Sequence, residues 1–231
     1  MAKRRTYGEA CGIPRALDRV GERWSLMIVR ELVLGPKRFT DIRAALPGLS
    51  PDILAQRLRD LEEAGVMTRE VLPPPAASKV YELTEWGHEL EPVLIALGRW
   101  GARAPGPPAD ACMSFDSHIL SLLTLFDAEV AGDFETELQL RLDGRDFRSE
   151  VRDGKLEIVL GTVAEPDATV TGTADAVVAI AHCRRELDEA VKSGDVAIDG
   201  DTAAVKRFLG LFPLPEPAPQ PEPAAEPEPV G

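Results

Sequence analysis

Four polar side chains recur once per helical turn in the segment that follows Leu49. Their positions are Asp52, Gln56, Arg59 and Glu63. Residues three or four apart lie on the same face of a helix, so the spacing predicts one continuous polar stripe. Gln56 and Arg59 carry donors whose geometry suits the base edges in the major groove of double-stranded DNA. Asp52 suits either acceptance of a hydrogen bond from cytosine or a favourable charge beside the helix N-terminus.

The helix that must hold this stripe is well marked at both ends. Ser50 is a good N-cap, and Pro51 suits the first helical position because its missing N–H is not needed there. Gly65 is expected to end the helix in a left-handed conformation. The opposite face is apolar and should be buried; it carries Leu54, Leu58 and Leu61. The first-turn amides, with Ser50 and Pro51, are candidates to hold a phosphate.

Basic residues lie on the elements around this helix. Two helices are predicted before it, at residues 24–34 and 39–46, and two short strands after it, at 67–71 and 80–83, joined by a proline-rich turn. The candidate phosphate contacts on these elements are Lys37, Arg38, Arg43, Arg69 and Lys79. The alternative for each of them is an ordinary solvated surface. A last helix follows Thr84, and Pro92 should break it near Glu91.

The chain divides by charge. It has 231 residues and a formal net charge of −13. Residues 1–103 hold 16 Lys and Arg against 14 Asp and Glu, whereas residues 104–231 hold 10 against 25. The acidic half therefore need not touch a polyanion. We predict a domain at 1–101, a Pro/Gly-rich linker at 102–112, a second domain at 113–212, and a disordered Pro/Glu-rich tail at 213–231.

Several classes of protein are excluded. No apolar run approaches the ~18 residues that span a bilayer, and the N-terminus lacks the apolar stretch of a secretory signal. We therefore expect a cytoplasmic protein with no membrane partner. The three cysteines are far apart, which excludes a disulfide framework and a Cys-based metal cluster. With no catalytic arrangement or phosphate loop, the sequence predicts no enzyme, no metal and no cofactor.

Two helices, a capped helix and a β-hairpin in this order are typical of the winged helix-turn-helix. Two runs, GERWSLMIVRELVLGPKRFTDIRAALPGLSPDILAQRLRDLEEAGVMTR and YELTEWGHELEPVLIALGRWG, resemble the HxlR-type branch of bacterial winged-helix regulators over about residues 8–101. The resemblance implies a homodimer, with Leu90, Leu97 and Trp100 in its seam and the capped helix in the major groove. It also implies an oxidant-sensing role for Cys11; an inert lone thiol is the alternative.

The second half shows strand alternation. Residues 137–142 alternate strictly between polar and apolar, and Asp143-Gly144 and Asp153-Gly154 suit two-residue hairpin turns. A fourth strand at 168–172 and a fifth at 196–199 are interspersed with helices. This order predicts an α+β domain with helices on one side of a mostly antiparallel sheet.

The same half resembles a sterol-carrier-protein-type lipid-binding domain. The resemblance rests on PDATVTG at 166–172 and SGDVAIDGD at 193–201. It implies an apolar tunnel between sheet and helices for a fatty acid or a sterol-like molecule; the alternative is a fully packed core. The expected pocket residues are Leu123, Phe126, Leu140, Phe147, Ile158, Val177, Ile180, Phe208 and Phe212.

These features support two hypotheses about function. The first is a dimeric DNA-binding transcriptional regulator, expected to act as a repressor, that binds a double-stranded DNA operator and senses an apolar small molecule through its second domain. The second is a lipid-binding or carrier protein whose winged helix serves protein–protein contact. A salt-dependent shift of operator DNA by the purified protein separates them.

Overall fold

The computed structural model describes residues 6–71, 78–106 and 111–219 of the chain. Residues 6–106 are called the N-terminal half and residues 111–219 the C-terminal half. The elements of the N-terminal half are α1 (Gly12–Val20), α2 (Ser25–Leu32), β1 (Lys37–Arg38), α3 (Phe39–Ala45), α4 (Pro51–Glu63), β2 (Met67–Val71), β3 (Lys79–Leu83), α5 (Glu85–His88) and α6 (Glu91–Gly101). None of the described helices is both long enough and apolar enough to cross a membrane.

Helix α4 forms as its sequence predicts. The Ser50 hydroxyl accepts the Ile53 N–H at 3.4 Å, which satisfies one of the free donors of the first turn. Gly65 follows the helix with a φ of +76°, a conformation that a side chain would strain. The apolar face of Leu54, Leu58 and Leu61 is buried against the other helices of the N-terminal half.

A small sheet and a broken helix complete the N-terminal half. Strands β2 and β3 form an antiparallel hairpin, and the two-residue β1, which the sequence did not suggest, pairs with the outer side of β3. The proline-rich turn predicted between β2 and β3 lies at 72–77, outside the described residues. The chain breaks between α5 and α6, and Pro92 occupies the first turn of α6, as its missing N–H requires.

The C-terminal half is a mixed α+β layer. Its elements are α7 (Phe115–Leu125), α8 (Ala128–Ala131), β4 (Thr136–Leu142), β5 (Arg145–Arg152), β6 (Lys155–Leu160), β7 (Ala168–Gly172), α9 (Ala174–Ala181), α10 (Leu187–Ser193), β8 (Val196–Gly200) and α11 (Thr202–Leu209). The sheet order is β6-β5-β4-β7-β8. All pairings are antiparallel except β4 with β7. Asp143 and Asp153 have φ values of 49° and 51°, as two-residue hairpin turns require.

Helix α7 begins four residues before the predicted start at Ile119. Its N-cap is Ser114, whose hydroxyl accepts the Ser117 N–H at 3.2 Å. The first turn is polar, so apolar periodicity alone did not reveal it. This turn carries Asp116, which lies at the contact between the two halves.

The two halves pack directly on each other. Leu34 and Leu123 contact the hydrophobic cores of both halves. Arg99 of α6 donates from Nε to the Thr124 carbonyl at 2.6 Å and from Nη2 to the Phe126 carbonyl at 3.1 Å. The two halves, on either side of the predicted Pro/Gly-rich linker, therefore share a packed interface. Of that linker, residues 107–110 lie outside the described part.

The described part of the predicted tail, residues 213–219, has no helix or strand. It runs beside the end of α6, because Arg103 donates from Nε to the Glu216 carbonyl at 3.1 Å. The Ala218 N–H in turn donates to the Arg103 carbonyl at 2.7 Å. Residues 220–231 of the tail lie outside the described residues.

Candidate nucleic-acid interface

The outward face of α4 carries the predicted polar stripe. Asp52, Gln56 and Arg59 are all exposed. Arg59 donates from Nη2 to Gln56 Oε1 at 2.8 Å, and Gln56 donates from Nε2 to Asp60 Oδ1 at 2.8 Å. The polar heads are thus linked to one another along the helix. Gln56 still has one N–H and one oxygen lone pair for a ligand.

Arg57 lies on the flank of α4, beside the leucine face, and has a structural role. Its Nη1 atom is 3.1 Å from Glu22 Oε2 and 3.1 Å from Asp60 Oδ2. The side chain is mostly buried. This ion pair joins the turn after α1 to the helix that carries Gln56 and Arg59.

Four of the five predicted phosphate contacts are exposed around α4. Arg38 precedes α3 and Arg43 lies in its last turn, while Arg69 and Lys79 lie on the paired strands β2 and β3. The pairing of Arg69 with Tyr81 and of Lys79 with Val71 places both cations on the hairpin. Such exposed cations are the groups that phosphate oxygens contact.

Lys37 differs from these four, because its ammonium forms an ion pair with Asp116 of α7. The Lys37 side chain is only 14 % exposed, and the Asp116 carboxylate is 1 % exposed. Asp116 Oδ1 also lies 3.5 Å from Arg145 Nη1 of β5. Lys37 is thus held inside the chain, and the expectation of a phosphate contact is corrected to an interface contact between the halves.

A second buried carboxylate lies beside the first. Glu31 of α2 accepts from the Ser114 hydroxyl at 2.7 Å and from Arg30 Nη2 at 2.6 Å. The hydroxyl of Ser114 is also 2.7 Å from that of Ser117. Sequence reasoning missed this cluster, because its partners are about 80 residues apart and no local periodicity connects them.

The predicted pocket residues of the C-terminal half fall into three groups by their surroundings. Six of them lie in the closed core at exposures of 4 % or less: Leu140, Phe147, Ile158, Val177, Phe208 and Phe212. Leu123 and Phe126 instead line an open groove of about 1160 Å³ between α6, α7 and the chain at 213–215. Ile180 lines a different cavity, of about 300 Å³, near Lys206. Six of the predicted residues thus lie in the buried core and three line surface grooves, and the tunnel between sheet and helices stays a prediction.

Cys11 is the N-cap of α1 and is exposed, as are Cys112 and Cys183. Its side chain makes no capping hydrogen bond. The oxidant-sensing role of Cys11 stays a prediction. Among the described residues, no group of three or more His, Cys, Asp or Glu side chains is placed to hold a metal ion.

His182 at the end of α9 is buried, and its Nε2 atom has no hydrogen-bond partner within the described chain. Burial first, and then the electrostatic influence of Arg184 and His118, lower the pKa of His182 to about 4. His118 itself has Nε2 3.3 Å from Asp175 Oδ1. His182 is therefore neutral at physiological pH and serves the core.

The fold of the N-terminal half, with its exposed α4 and adjoining hairpin, defines a winged helix-turn-helix protein. Residues 19–107 match the model of the family described as HxlR-like helix-turn-helix. Over 86 residues the chain is 41 % identical to the uncharacterized HTH-type transcriptional regulator YvaP of Bacillus subtilis, covering 37 % of this chain and 80 % of that protein. Over 97 residues it is 35 % identical to the HTH-type transcriptional regulator YodB of the same organism, covering 42 % and 87 %. The chain belongs to the HxlR-like helix-turn-helix family of transcriptional regulators.

Two solved structures of regulators are also similar to this chain. The reduced form of YodB from B. subtilis matches at 34 % identity with a TM-score of 0.38, covering 41 % of this chain and 94 % of that one. The redox regulator HypR in its oxidized form matches at 31 % identity with a TM-score of 0.40, covering 42 % and 100 %.

Residues 113–218 match a different family model, that of the alkyl sulfatase C-terminal domain. This match covers the mixed sheet and its helices. The resemblance of the C-terminal half to a sterol carrier stays a prediction.

Proposed function

We propose that this chain is a non-enzymatic transcriptional regulator that inserts α4 into the major groove of a double-stranded DNA operator. The observation that carries the proposal is the exposed, hydrogen-bonded pair Gln56 and Arg59 on a capped helix whose other face is buried. A helix fixed on its apolar side presents such donors to base edges with little loss of conformational freedom. Asp52 contributes at the N-terminal end of the same face.

The surrounding residues position the helix on the DNA backbone. Ser50 and Pro51 begin α4, where free N–H groups and the helix dipole favour a phosphate. Arg38 and Arg43 lie on the α3 side of α4, and the hairpin cations Arg69 and Lys79 lie on the other. These contacts set register and affinity without reading sequence.

We further propose that the protein binds as a homodimer through α1 and α6. Both helices expose large apolar side chains that the described chain does not cover; Trp100 is 76 % exposed. The others are Ile13, Leu17, Val93 and Leu97. Large apolar side chains exposed together on a helix are typical of a protein interface. A two-fold dimer demands a near-palindromic operator with half-sites about 34–36 Å apart.

Arg59→Ala tests the DNA proposal. Loss of a bidentate base contact should cost about 1–3 kcal/mol at the cognate operator and relax preference at one base pair. Lys79→Ala should weaken binding to cognate and to random DNA alike. It should also reduce by about one unit the slope of the logarithm of the binding constant against the logarithm of the salt concentration. Arg152→Ala, which removes an exposed cation from the C-terminal sheet, is the matched control and should change neither. If Arg59→Ala binds operator DNA and random DNA with the same affinities as the parent protein does, the proposal is contradicted.

We also propose that the C-terminal half is an effector domain for an apolar small molecule, a fatty acid or a sterol-like compound. The supporting observation is the groove of about 1160 Å³, which has Leu123 and Phe126 on one wall and Ile95 of α6 on the other. A molecule in this groove contacts both halves at once. It can change operator affinity only by favouring one arrangement of them, and DNA must then change ligand affinity equally.

Ile95→Trp tests the effector proposal by filling the groove. Titration with palmitate and with cholesterol should shift the operator affinity of the parent protein, and Ile95→Trp should abolish the shift. Val159→Trp, on the outer face of the sheet, is the control. Uptake of either compound without any operator binding would favour the lipid-carrier alternative.

A further inference from the structure

One apolar side chain lies among the polar groups of the α4 face. Ile53 is 45 % exposed, although its neighbours Leu54 and Leu58 on the same helix are buried. Successive residues of a helix are rotated by about 100°, so Ile53 lies well off the leucine face and toward Gln56. Its exposed part is a branched alkyl surface with no donor or acceptor.

The position of Ile53 is fixed more firmly than that of most exposed side chains. Its backbone N–H donates to the Ser50 cap at 3.4 Å, which secures the first turn. A β-branched side chain in a helix has one strongly preferred χ1 rotamer. The methyl groups of Ile53 are therefore held in one direction before any partner arrives.

We propose that Ile53 is a specificity-determining residue that reads the C5-methyl group of a thymine in the operator. The inference rests on the proposed function of α4. In the major groove, a methyl group is the apolar feature that thymine presents, and apolar side chains recognise it by contact. Recognition-helix residues near the N-terminus are the ones that reach base edges, and Ile53 lies in the first turn.

The spacing of the helix selects which base pair Ile53 meets. Three residues of α-helix rise about 4.5 Å, and adjacent base pairs are separated by about 3.4 Å. Ile53 and Gln56 are three residues apart, with Cβ atoms about 5–6 Å from each other on the helix surface, so neighbouring base pairs are within reach of the two side chains. Gln56 keeps one free N–H and one free lone pair, because its other groups bind Asp60 and Arg59. This donor–acceptor pair matches the edge of adenine. We therefore assign Ile53 to a thymine beside the pair that Gln56 reads.

Deoxyuridine supplies the test, because it differs from thymidine only by the missing methyl group. Each thymine of the cognate half-site is replaced in turn, and binding of the full-length protein is measured by fluorescence anisotropy. The parent protein should lose about fourfold in affinity at one position, the value expected for one buried methyl-sized group. Ile53→Ala should bind the thymine operator about as weakly as the parent binds the deoxyuridine operator, and should no longer distinguish the two.

Gln56→Ala is the matched control, because it should weaken binding and yet keep the discrimination between thymine and deoxyuridine. Alanine suits an exposed helical position, and the far-UV circular dichroism of each variant confirms its fold. Equal binding of every deoxyuridine operator by the parent overturns the role of Ile53 while leaving α4 as the DNA-binding helix. Discrimination that persists in Ile53→Ala overturns it as well. If the parent prefers no sequence over random DNA, the proposed function itself fails.

Discussion

The outer face of α4 and the inner face of the C-terminal sheet differ in whether their side chains are exposed to solvent. On α4, the heads of Gln56 and Arg59 bind each other and stay open to solvent. On the sheet, Leu140 and Phe147 are fully buried against helices of their own half. A polar stripe on a helix thus remains available to a partner, whereas an apolar sheet face is buried by the helices of its own half. At the edge of this core, where α6 meets α7, an open groove of about 1160 Å³ lies between the two halves.

The largest expected effect tests whether the two halves unfold as one cooperative unit. Phe208 is fully buried in the C-terminal core, so Phe208→Ala should lower the free energy of unfolding by about 3–5 kcal/mol. The three tryptophans, Trp24, Trp86 and Trp100, all belong to the N-terminal half. Because Leu34 and Leu123 join the two cores, tryptophan fluorescence should report the same shifted urea midpoint as far-UV circular dichroism.

Leu122→Ala, at a fully buried position of α7, serves as a second variant should Phe208→Ala fail to fold. Two separate transitions, with the fluorescence midpoint unchanged, would show that the halves unfold independently. The packed interface would then not couple them.

The sequence predicted the elements better than the relation between the halves. Ser50 and Pro51 begin α4 and Gly65 follows its end, and each of these residues acts only on backbone within a few positions of itself. The parallel pairing of β4 with β7 is different, because β5 and β6 lie between these strands in the chain and no local turn motif indicates that they pair. Lys37 is the clearest example of a side chain whose partner is distant in sequence. Its basic charge beside α3 indicated a phosphate contact, and only the distant Asp116 decides its place.

The nine predicted pocket residues show a related limit of sequence patterns. Alternation along β4 and β5 identifies which side chains face inward, but the same pattern describes a filled core and a ligand tunnel. Whether a cavity remains depends on the fit of α7, α9 and α11 over the sheet. That fit depends on the packing of many side chains together, so it cannot be predicted from any one position.

The next expected effect concerns the buried carboxylate at the interface. Asp116→Asn removes the charge that faces Lys37 and Arg145, and leaving a mostly buried cation unpaired should cost about 3 kcal/mol of stability. Urea denaturation at pH 7 measures it. Asp188→Asn removes an 83 % exposed partner of Lys206 and is the matched control, with an expected change below about 0.5 kcal/mol. Similar small losses in both variants would mean that the interface pair is as weak as a surface pair.

A smaller effect follows from His182. Burial lowers its pKa to about 4 from an ordinary value of 6.5, so the unfolded chain binds more protons than the folded one between these values. The contribution of His182 to the free energy of unfolding is therefore level above about pH 7.5 and falls as the pH falls toward 4. The His182 contribution should amount to about 2 kcal/mol between pH 7.5 and pH 5. His182→Leu should flatten this part of the urea-midpoint profile, whereas His88→Gln, at an exposed position, should leave it unchanged.

The smallest effect compares two glycines of α6. A Cβ at Gly98 would lie 2.9 Å from Thr124 Cγ2 of α7, whereas a Cβ at Gly101 would meet nothing within 4 Å. Alanine is favoured over glycine in a helix by up to about 1 kcal/mol, and overpacking at a close contact costs about 1–3 kcal/mol. Gly101→Ala should therefore raise the free energy of unfolding by up to about 0.5 kcal/mol, since it ends the helix, and Gly98→Ala should lower it by about 1 kcal/mol. The contrast between the two tests the closeness of α6 and α7 without touching charge. Equal stabilisation by both substitutions would place α7 farther from α6 than the Arg99 hydrogen bonds require.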